Sequence, residues 1–413
     1  MCEYLFSGSL VFCIAQLRKQ IVNFGALYSR CIIQAMAIFM AITASKGQIV
    51  PGACRTEAYF QLLGGKRIAL VANHTSLIGV THLLDTFLLS GLDVKKVFTP
   101  EHGFRGDLDA GAKVPAGRDA KTGLPVISLY GKKVKPSPAD LSGIDLVVFD
   151  IQDVGVRFYT YLSTLSYVME ACAENNIPLL VLDRPNPNGF YIDGPVLEPS
   201  FRSFVGLHTV PVVYGMTIGE YALMVNGEHW LRDSLHCALT VIPCTGYSHD
   251  SLYHLPVKPS PNLVDMRSVY LYPSLAFFEG TVVSVGRGTP FPFQVYGHPS
   301  MRGCSFHFIP CSMPGMSLHP PHAGKICCGT DLRNYDTIAL LEKKELILDF
   351  LFDAYERFPD KNRFFNSFFD LLAGTSALRE QIKNRLSEDD IRKSWLPGLT
   401  KFKEIRKKYL LYP

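Results

Sequence analysis

From residue 67 onward, short runs of aliphatic and β-branched residues alternate with longer amphipathic stretches, and this alternation constrains the fold more than any other feature of the chain. The runs are 67–72 (RIALVA), 94–98, 126–129, 146–149 and 179–182. They are rich in aliphatic and β-branched residues, as strands covered on both faces should be, although 94–98 (VKKVF) carries two lysines. Between them, 81–89 and 160–174 carry helical spacing. This succession predicts βαβ units and a parallel, doubly wound sheet over about 55–245. The chain has 413 residues, more than one core usually organises, so a second unit is expected. Prolines recur from Pro256 to Pro314 with few long periodic runs, which reads as a smaller, loop-rich lobe. Helices return at 343–357, 376–384 and 389–409, the last with a basic face of Lys401, Lys403, Arg406, Lys407 and Lys408 that reads as a solvated surface.

The first fifty residues differ from the rest. Apolar runs at 4–15 and 31–44 flank Arg18, Lys19 and Arg30 and are short for a membrane span. The second ends in small residues before Lys46 and fits the apolar region and cleavage zone of a secretory signal. Residues 1–50 are therefore expected to be a leader outside the fold, and the mature protein to be exported without an integral membrane span. Charged residues make up only 19% and the net charge is +4, so no polyanion-binding surface is present and nucleic acid is not an expected partner. Eleven cysteines form no C-x-x-C pair, and no disulfide framework is expected. Cys304, His307, Cys311, His319, His322, Cys327 and Cys328 match no zinc-ligand spacing and are expected to be buried thiols and loop histidines, without a metal.

In open α/β sheets, ligands lie beyond the carboxyl ends of the strands, and here those positions are polar. Asn73-His74-Thr75-Ser76 follows the first run, Glu101-His102 with Arg105 the second, and Tyr130 the third. Asp150 and Asp153 with Arg157 follow the fourth, and Asp183-Arg184 the fifth. One such residue would be an ordinary helix cap; five strand ends argue for a shared cleft. The first strand end lacks the G-x-G-x-x-G turn of a pyrophosphate site, so no nicotinamide or flavin cofactor is expected. The later Gly286-Arg287-Gly288 reads as a tight turn presenting Arg287. No G-x-S-x-G elbow is present. The cleft is instead rich in carboxyls: Glu101, Asp150, Asp153 and Asp183, with Glu220 and Glu279 further along. Paired carboxyls with separated pKa values are the means of glycoside hydrolysis, and Phe158, Tyr159 and Tyr161 offer rings on which sugars stack.

Five motifs together also carry a resemblance. They are Ala72-Asn73-His74-Thr75-Ser76, Pro100-Glu101-His102-Gly103-Phe104-Arg105-Gly106, the run 150–161 (DIQDVGVRFYTY), Asp183-Arg184-Pro185-Asn186-Pro187, and Phe278-Glu279-Gly280-Thr281. On them the chain resembles the NamZ-type exo-β-N-acetylmuramidases, glycoside hydrolase family 171, from about residue 66 to its end. The resemblance implies a Rossmann-like catalytic domain, taken as 51–245, and a smaller α+β domain, 246–413, that closes the active-site cleft. It also implies release of terminal N-acetylmuramic acid (MurNAc) from the non-reducing end of peptidoglycan fragments of the MurNAc-GlcNAc type, in the periplasm or cell envelope. The family's glutamate falls on Glu101.

On this reading Glu101 is the general acid, and Asp150 or Asp153 supports the oxocarbenium-like centre or activates water. Arg105 or Arg157 would hold the carboxylate of the muramic lactyl group in a bidentate fork. Asn73, His74, His102, Tyr159, Tyr161, Asp183, Arg184 and Glu279 are the expected sugar-binding groups. Two other classes fit less of the pattern: an amide or ester hydrolase with a metal at the Cys/His cluster, and a non-catalytic muropeptide-binding protein.

Overall fold

Residues 68–72 alternate between two apolar environments, and that alternation explains why helices cover both sheet faces. In the computed structural model, β1 (Ile68–Ala72) sends Ala69 and Val71 into one core and Ile68, Leu70 and Ala72 into another. The structure describes residues 48–104 and 117–413. The leader-like runs and Arg105 lie outside the described residues, and all that follows concerns the unit Ile49–Pro413.

A short hairpin, β2 (Leu77–Ile78) and β3 (Thr81–His82), follows β1. The sheet then gains β4 (Val94–Thr99), β5 (Gly117–Arg118), β6 (Pro125–Ser128), β7 (Leu146–Asp150), β8 (Leu179–Leu182) and β9 (Leu239–Ile242). Their order is β5-β6-β4-β1-β7-β8-β9. All neighbours are parallel except the edge pair β5–β6. Without β5 this is the strand order 3-2-1-4-5-6 of the doubly wound nucleotide-binding folds. The expected mainly parallel sheet is thus present, extended by β9, whose half-exposed LTVI run gave a weak signal.

One face is covered by α1 (Thr56–Leu63) and α2 (Leu83–Leu89), whose Tyr59, Leu63, Leu84 and Phe87 pack on Leu70, Val148 and Leu180. A short α3 (Pro138–Leu141) starts at a Ser137–Asp140 capping box. On the other face, α4 (Tyr161–Glu174) buries Leu162, Leu165, Val168 and Met169, and α5 (Ile218–Gly227) begins at a Thr217–Glu220 capping box. The stretch 81–89 is therefore part hairpin and part helix: His82 ends β3, and its ring accepts a hydrogen bond from Leu84 N at the start of α2.

The second half begins with α6 (Met266–Leu275), capped by Asp265 and followed by a 3-10 turn over Ala276–Gly280. It carries a three-stranded antiparallel sheet, β10 (Val295–His298), β11 (Phe306–Phe308) and β12 (Cys327–Asp331), in the order β10-β12-β11. Five helices follow: α7 (Thr337–Lys343), α8 (Asp349–Arg357), α9 (Phe368–Ala373), α10 (Ala377–Lys383) and α11 (Glu388–Lys407). The expected helix over 343–357 is confined to α8, because Lys344 adopts a left-handed conformation (φ 54°) that ends α7 at Lys343 and the chain re-enters a helix only at Asp349. Among the described residues, no helix is long and apolar enough to cross a membrane.

The cysteine expectation needs correction. Cys304 and Cys328 form a disulfide, because antiparallel pairing sets Cys328 of β12 opposite His307 of β11 and brings the preceding Cys304 alongside. A bridge spanning 24 residues leaves no local spacing to read. Of the cluster, Cys327 is a buried thiol as expected, whereas Cys311 is exposed; Cys172, Cys237 and Cys244 elsewhere are also buried thiols.

Candidate active site

The chain leaves β4 through Thr99-Pro100 and turns sharply, with His102 at φ 71° and Gly103 at φ 79°. A histidine in the left-handed region costs about 1 to 3 kcal/mol, and such strain persists only where its surroundings enforce it. The turn carries Glu101 into a cavity of about 440 Å³ at the carboxyl end of the sheet. Thr160, immediately before α4, donates its hydroxyl to Glu101 Oε2 at 2.9 Å. Tyr130, beyond the end of β6, lines the same cavity, and its hydroxyl pKa is pushed up first by burial and then by the nearby Glu101 carboxylate. The Thr160 hydroxyl at the start of α4 therefore fixes the direction of this acid, with the Tyr130 ring beside it.

Aromatic rings build the walls. Tyr159 and Tyr161 meet edge to face at 4.7 Å between centroids, and Tyr272 packs on Tyr159 at 5.9 Å. The Tyr159 hydroxyl donates to the Pro259 carbonyl at 2.8 Å. Asn73 donates its amide to the Tyr161 hydroxyl at 3.0 Å, so Asn73 supports the wall from behind. The second half supplies Glu279, Arg287 and Phe293. Arg287 Nε donates to Glu279 Oε1 at 2.7 Å, and its guanidinium lies 5.2 Å from the Phe293 ring centroid. Glu101 and Glu279 are thus the two carboxyls that line the cavity, among the described residues.

His102 lines the cavity as expected; His74, Asp150, Asp153, Arg157, Asp183 and Arg184 lie elsewhere, and the strand ends divide into a cavity and a buried polar network. Asp150 is fully buried and takes both forks of Arg184, at 2.6 and 2.8 Å. Neither lines the cavity, because each charge is spent on the other. Asp183 accepts from Thr217 Oγ1 and Gly219 N, both at 2.7 Å, and from the Tyr412 hydroxyl. It ties the C-terminus and α5 to β8 rather than binding sugar. Asp153 is buried under the Tyr214 hydroxyl and the Gly155 amide. His74 donates Nε2 to the Lys258 carbonyl at 2.7 Å, on a loop rather than in the cavity.

Arg157 is the clearest correction. Its guanidinium donates to four backbone carbonyls, those of Pro195, Val210, Leu372 and Ala373, at 2.7 to 2.8 Å. It is buried and staples α9 to the chain segments beside the sheet. No substrate carboxylate reaches it there.

Burial raises the Asp153 carboxyl to about 7 and, for the same reason, the Asp183 carboxyl to about 6. The native state then holds these protons more tightly than the unfolded chain, whose ordinary value is 3.8. Their contribution to stability is full below that ordinary value and is lost as pH rises through the native values of about 6 and 7. Asp153→Asn removes the titration at nearly constant shape. It is expected to flatten the fall in stability between about pH 4 and pH 7, read as denaturant midpoints at pH 5 and pH 8. Parallel midpoints for the variant and the parent would refute the assignment.

Sequence reasoning missed Thr160, Tyr272 and Phe293 as site residues and gave Arg287 no role. Arg287 had a signal: two flanking glycines, both observed at positive φ, form the turn that presents it. Thr160 sits at the expected start of a helix and has no sequence signal of its own; its hydroxyl makes no cap and meets Glu101.

Comparison with known proteins bears on this geometry. The N-terminal domain of the family "Exo-beta-N-acetylmuramidase NamZ" matches residues 68–267, and the C-terminal domain of that family matches residues 270–412. The peptidoglycan β-N-acetylmuramidase NamZ of Bacillus subtilis (strain 168) is 40% identical over 375 residues, covering 86% of this chain and 89% of its own. A crystal structure of a DUF1343 family protein from Bacteroides fragilis NCTC 9343 superimposes with a TM-score of 0.83 at 48% identity, covering 89% of this chain and 99% of that one. A second protein of that family from the same organism gives a TM-score of 0.74 at 31% identity, with the same coverage.

Proposed function

The chain belongs to the exo-β-N-acetylmuramidase NamZ family, and from that premise we propose that it is an exo-acting glycoside hydrolase releasing MurNAc from the non-reducing end of peptidoglycan fragments. The observation that carries the reading is one carboxyl, Glu101, held by Thr160 in an aromatic-walled cavity beyond a strand end. Glu101 protonates the leaving glycosidic oxygen as the bond to the anomeric carbon lengthens. Positive charge develops at that carbon, and a second carboxyl must face it or activate water. Glu279 takes this role in place of Asp150 and Asp153, because it shares the cavity with Glu101. Tyr159, Tyr161 and Tyr272 offer apolar faces to the sugar ring.

The test is a defined oligosaccharide that begins with MurNAc at its non-reducing end. Exo action releases one free MurNAc first and leaves the rest of the chain whole. Internal cleavage into shorter fragments would contradict the reading.

The reaction written here needs no metal. Cys304, His307 and Cys328 are the three-donor cluster among the described residues, with donor atoms within 4.8 Å, but its two sulfurs are bonded to each other. Activity is expected to be unchanged after prolonged dialysis against a strong chelator. A loss reversed by zinc would favour a metal-dependent hydrolase.

Export to the cell envelope belongs to the same proposal. Its support is the apolar run at 31–44 and the Cys304–Cys328 bridge, a bond that persists in oxidising compartments. A division into a catalytic unit over 51–245 and a closing unit over 246–413 is supported by the cavity lining, which draws on both. N-terminal sequencing of the protein isolated from its host tests the leader, and an intact N-terminus on cytoplasmic protein would refute it.

A further inference from the structure

We propose that Arg287 reads the lactyl carboxylate of MurNAc and thereby sets the preference for MurNAc over GlcNAc; the inference rests on the glycosidase reading of the cavity. The two sugars differ by one ether-linked lactate at O3, which adds a single negative charge. A site that selects MurNAc must offer that charge a cation, and the cavity already holds two carboxyls, Glu101 and Glu279. Among the described residues, Arg287 is the one Lys or Arg side chain that lines it.

The two basic residues near the site differ in what remains of their hydrogen-bonding capacity. Arg157 spends Nη1 and Nη2 on four carbonyls, and what remains is a buried Nε, one N–H at the stem that offers no free terminal nitrogen to a second carboxylate. Arg287 directs Nε and Nη2 at a single oxygen, Oε1 of Glu279, and its buried Nη1 has no hydrogen-bond partner. A buried guanidinium nitrogen without an acceptor is destabilising, and an incoming carboxylate relieves it. A guanidinium can serve two carboxylates at once, one along each edge of its fork. Glu279 occupies one edge and fixes the plane of the group.

The backbone holds this arrangement. Gly286 and Gly288 have φ of 77° and 79°, and a Cβ at Gly288 would come within 2.5 Å of Pro320 and of the Cys311 carbonyl. The turn therefore has little freedom, and Phe293 packs beside the guanidinium. A preorganised fork of this kind discriminates by charge and geometry together.

The experiment uses the full chain carrying Glu101→Gln, so that bound sugar is not turned over, and titrates MurNAc and GlcNAc by calorimetry. With Arg287 intact, MurNAc is expected to bind on the order of 10- to 100-fold more tightly. Adding Arg287→Gln should bring the ratio of the two affinities close to one, and Arg287→Lys should restore part of it. A merely structural role would weaken both sugars and leave the ratio unchanged, which would overturn the proposal. So would a ratio near one with Arg287 intact, but that result would fall on the muramidase reading itself. Matching unfolding midpoints establish that the variants are folded, and Arg287→Lys carries the test if Arg287→Gln is not.

Discussion

Glu101→Gln is expected to lower turnover of a MurNAc-GlcNAc substrate by about 10²- to 10⁴-fold, the usual worth of a positioned general acid, without changing the unfolding midpoint. Glutamine keeps the shape of the side chain and can still accept from Thr160, so the cavity should survive. What it cannot do is deliver a proton. The loss should accordingly depend on the leaving group. A sugar alcohol leaves poorly unless protonated, whereas an aryl glycoside with an acidic phenol needs little help. The rate deficit of the variant is therefore expected to be much smaller on an aryl MurNAc glycoside than on the disaccharide. Equal deficits on both substrates would remove Glu101 from the acid role, and near-normal turnover on the disaccharide would do so outright.

Asp150→Ala is expected to destabilise the protein by about 3 to 5 kcal/mol, the cost of leaving one buried ion uncompensated. Arg184 has 2% of its side chain exposed and Asp150 none, and both carboxylate oxygens are engaged by the fork. Removing the carboxylate strands the guanidinium in the buried layer at the carboxyl end of the sheet, where Nη2 also donates to the Leu77 carbonyl at 3.1 Å. The loss should appear in the denaturant midpoint at unchanged slope. A variant of parental stability with lost turnover would instead return Asp150 to the chemistry. The two substitutions are thus expected to have opposite signatures, one in rate and one in stability.

The difference between these residues marks where the sequence stops being legible. The strands were readable because buried parallel strands are rich in apolar residues, and β1, β7 and β8, buried throughout, and β4, despite its two lysines, fall where those runs predict. The acids at their ends were equally visible as residues, but not as partners. Asp150 and Asp183 close neighbouring inner strands, where Arg184 and the start of α5 pack directly onto the carboxylates. Glu101 instead follows a turn that lifts it beyond the sheet. No local pattern separates an aspartate that will meet an arginine from a glutamate that will meet a cavity, since pairing depends on residues 34 positions away for Asp150 and 59 for Glu101. Arg157 was misread for the same reason, its carbonyl partners lying as far off as Leu372 and Ala373. The Cys304–Cys328 bridge depends on strand register, which spacing alone does not encode.

The most direct measurement incubates the wild-type chain and Glu101→Gln side by side with the MurNAc-GlcNAc disaccharide and quantifies free MurNAc by mass spectrometry. The wild type should release MurNAc and GlcNAc in equal amounts, and the folded variant should release on the order of a hundredfold less in the same time. No free MurNAc from the wild type, or equal release from both proteins, would contradict the account.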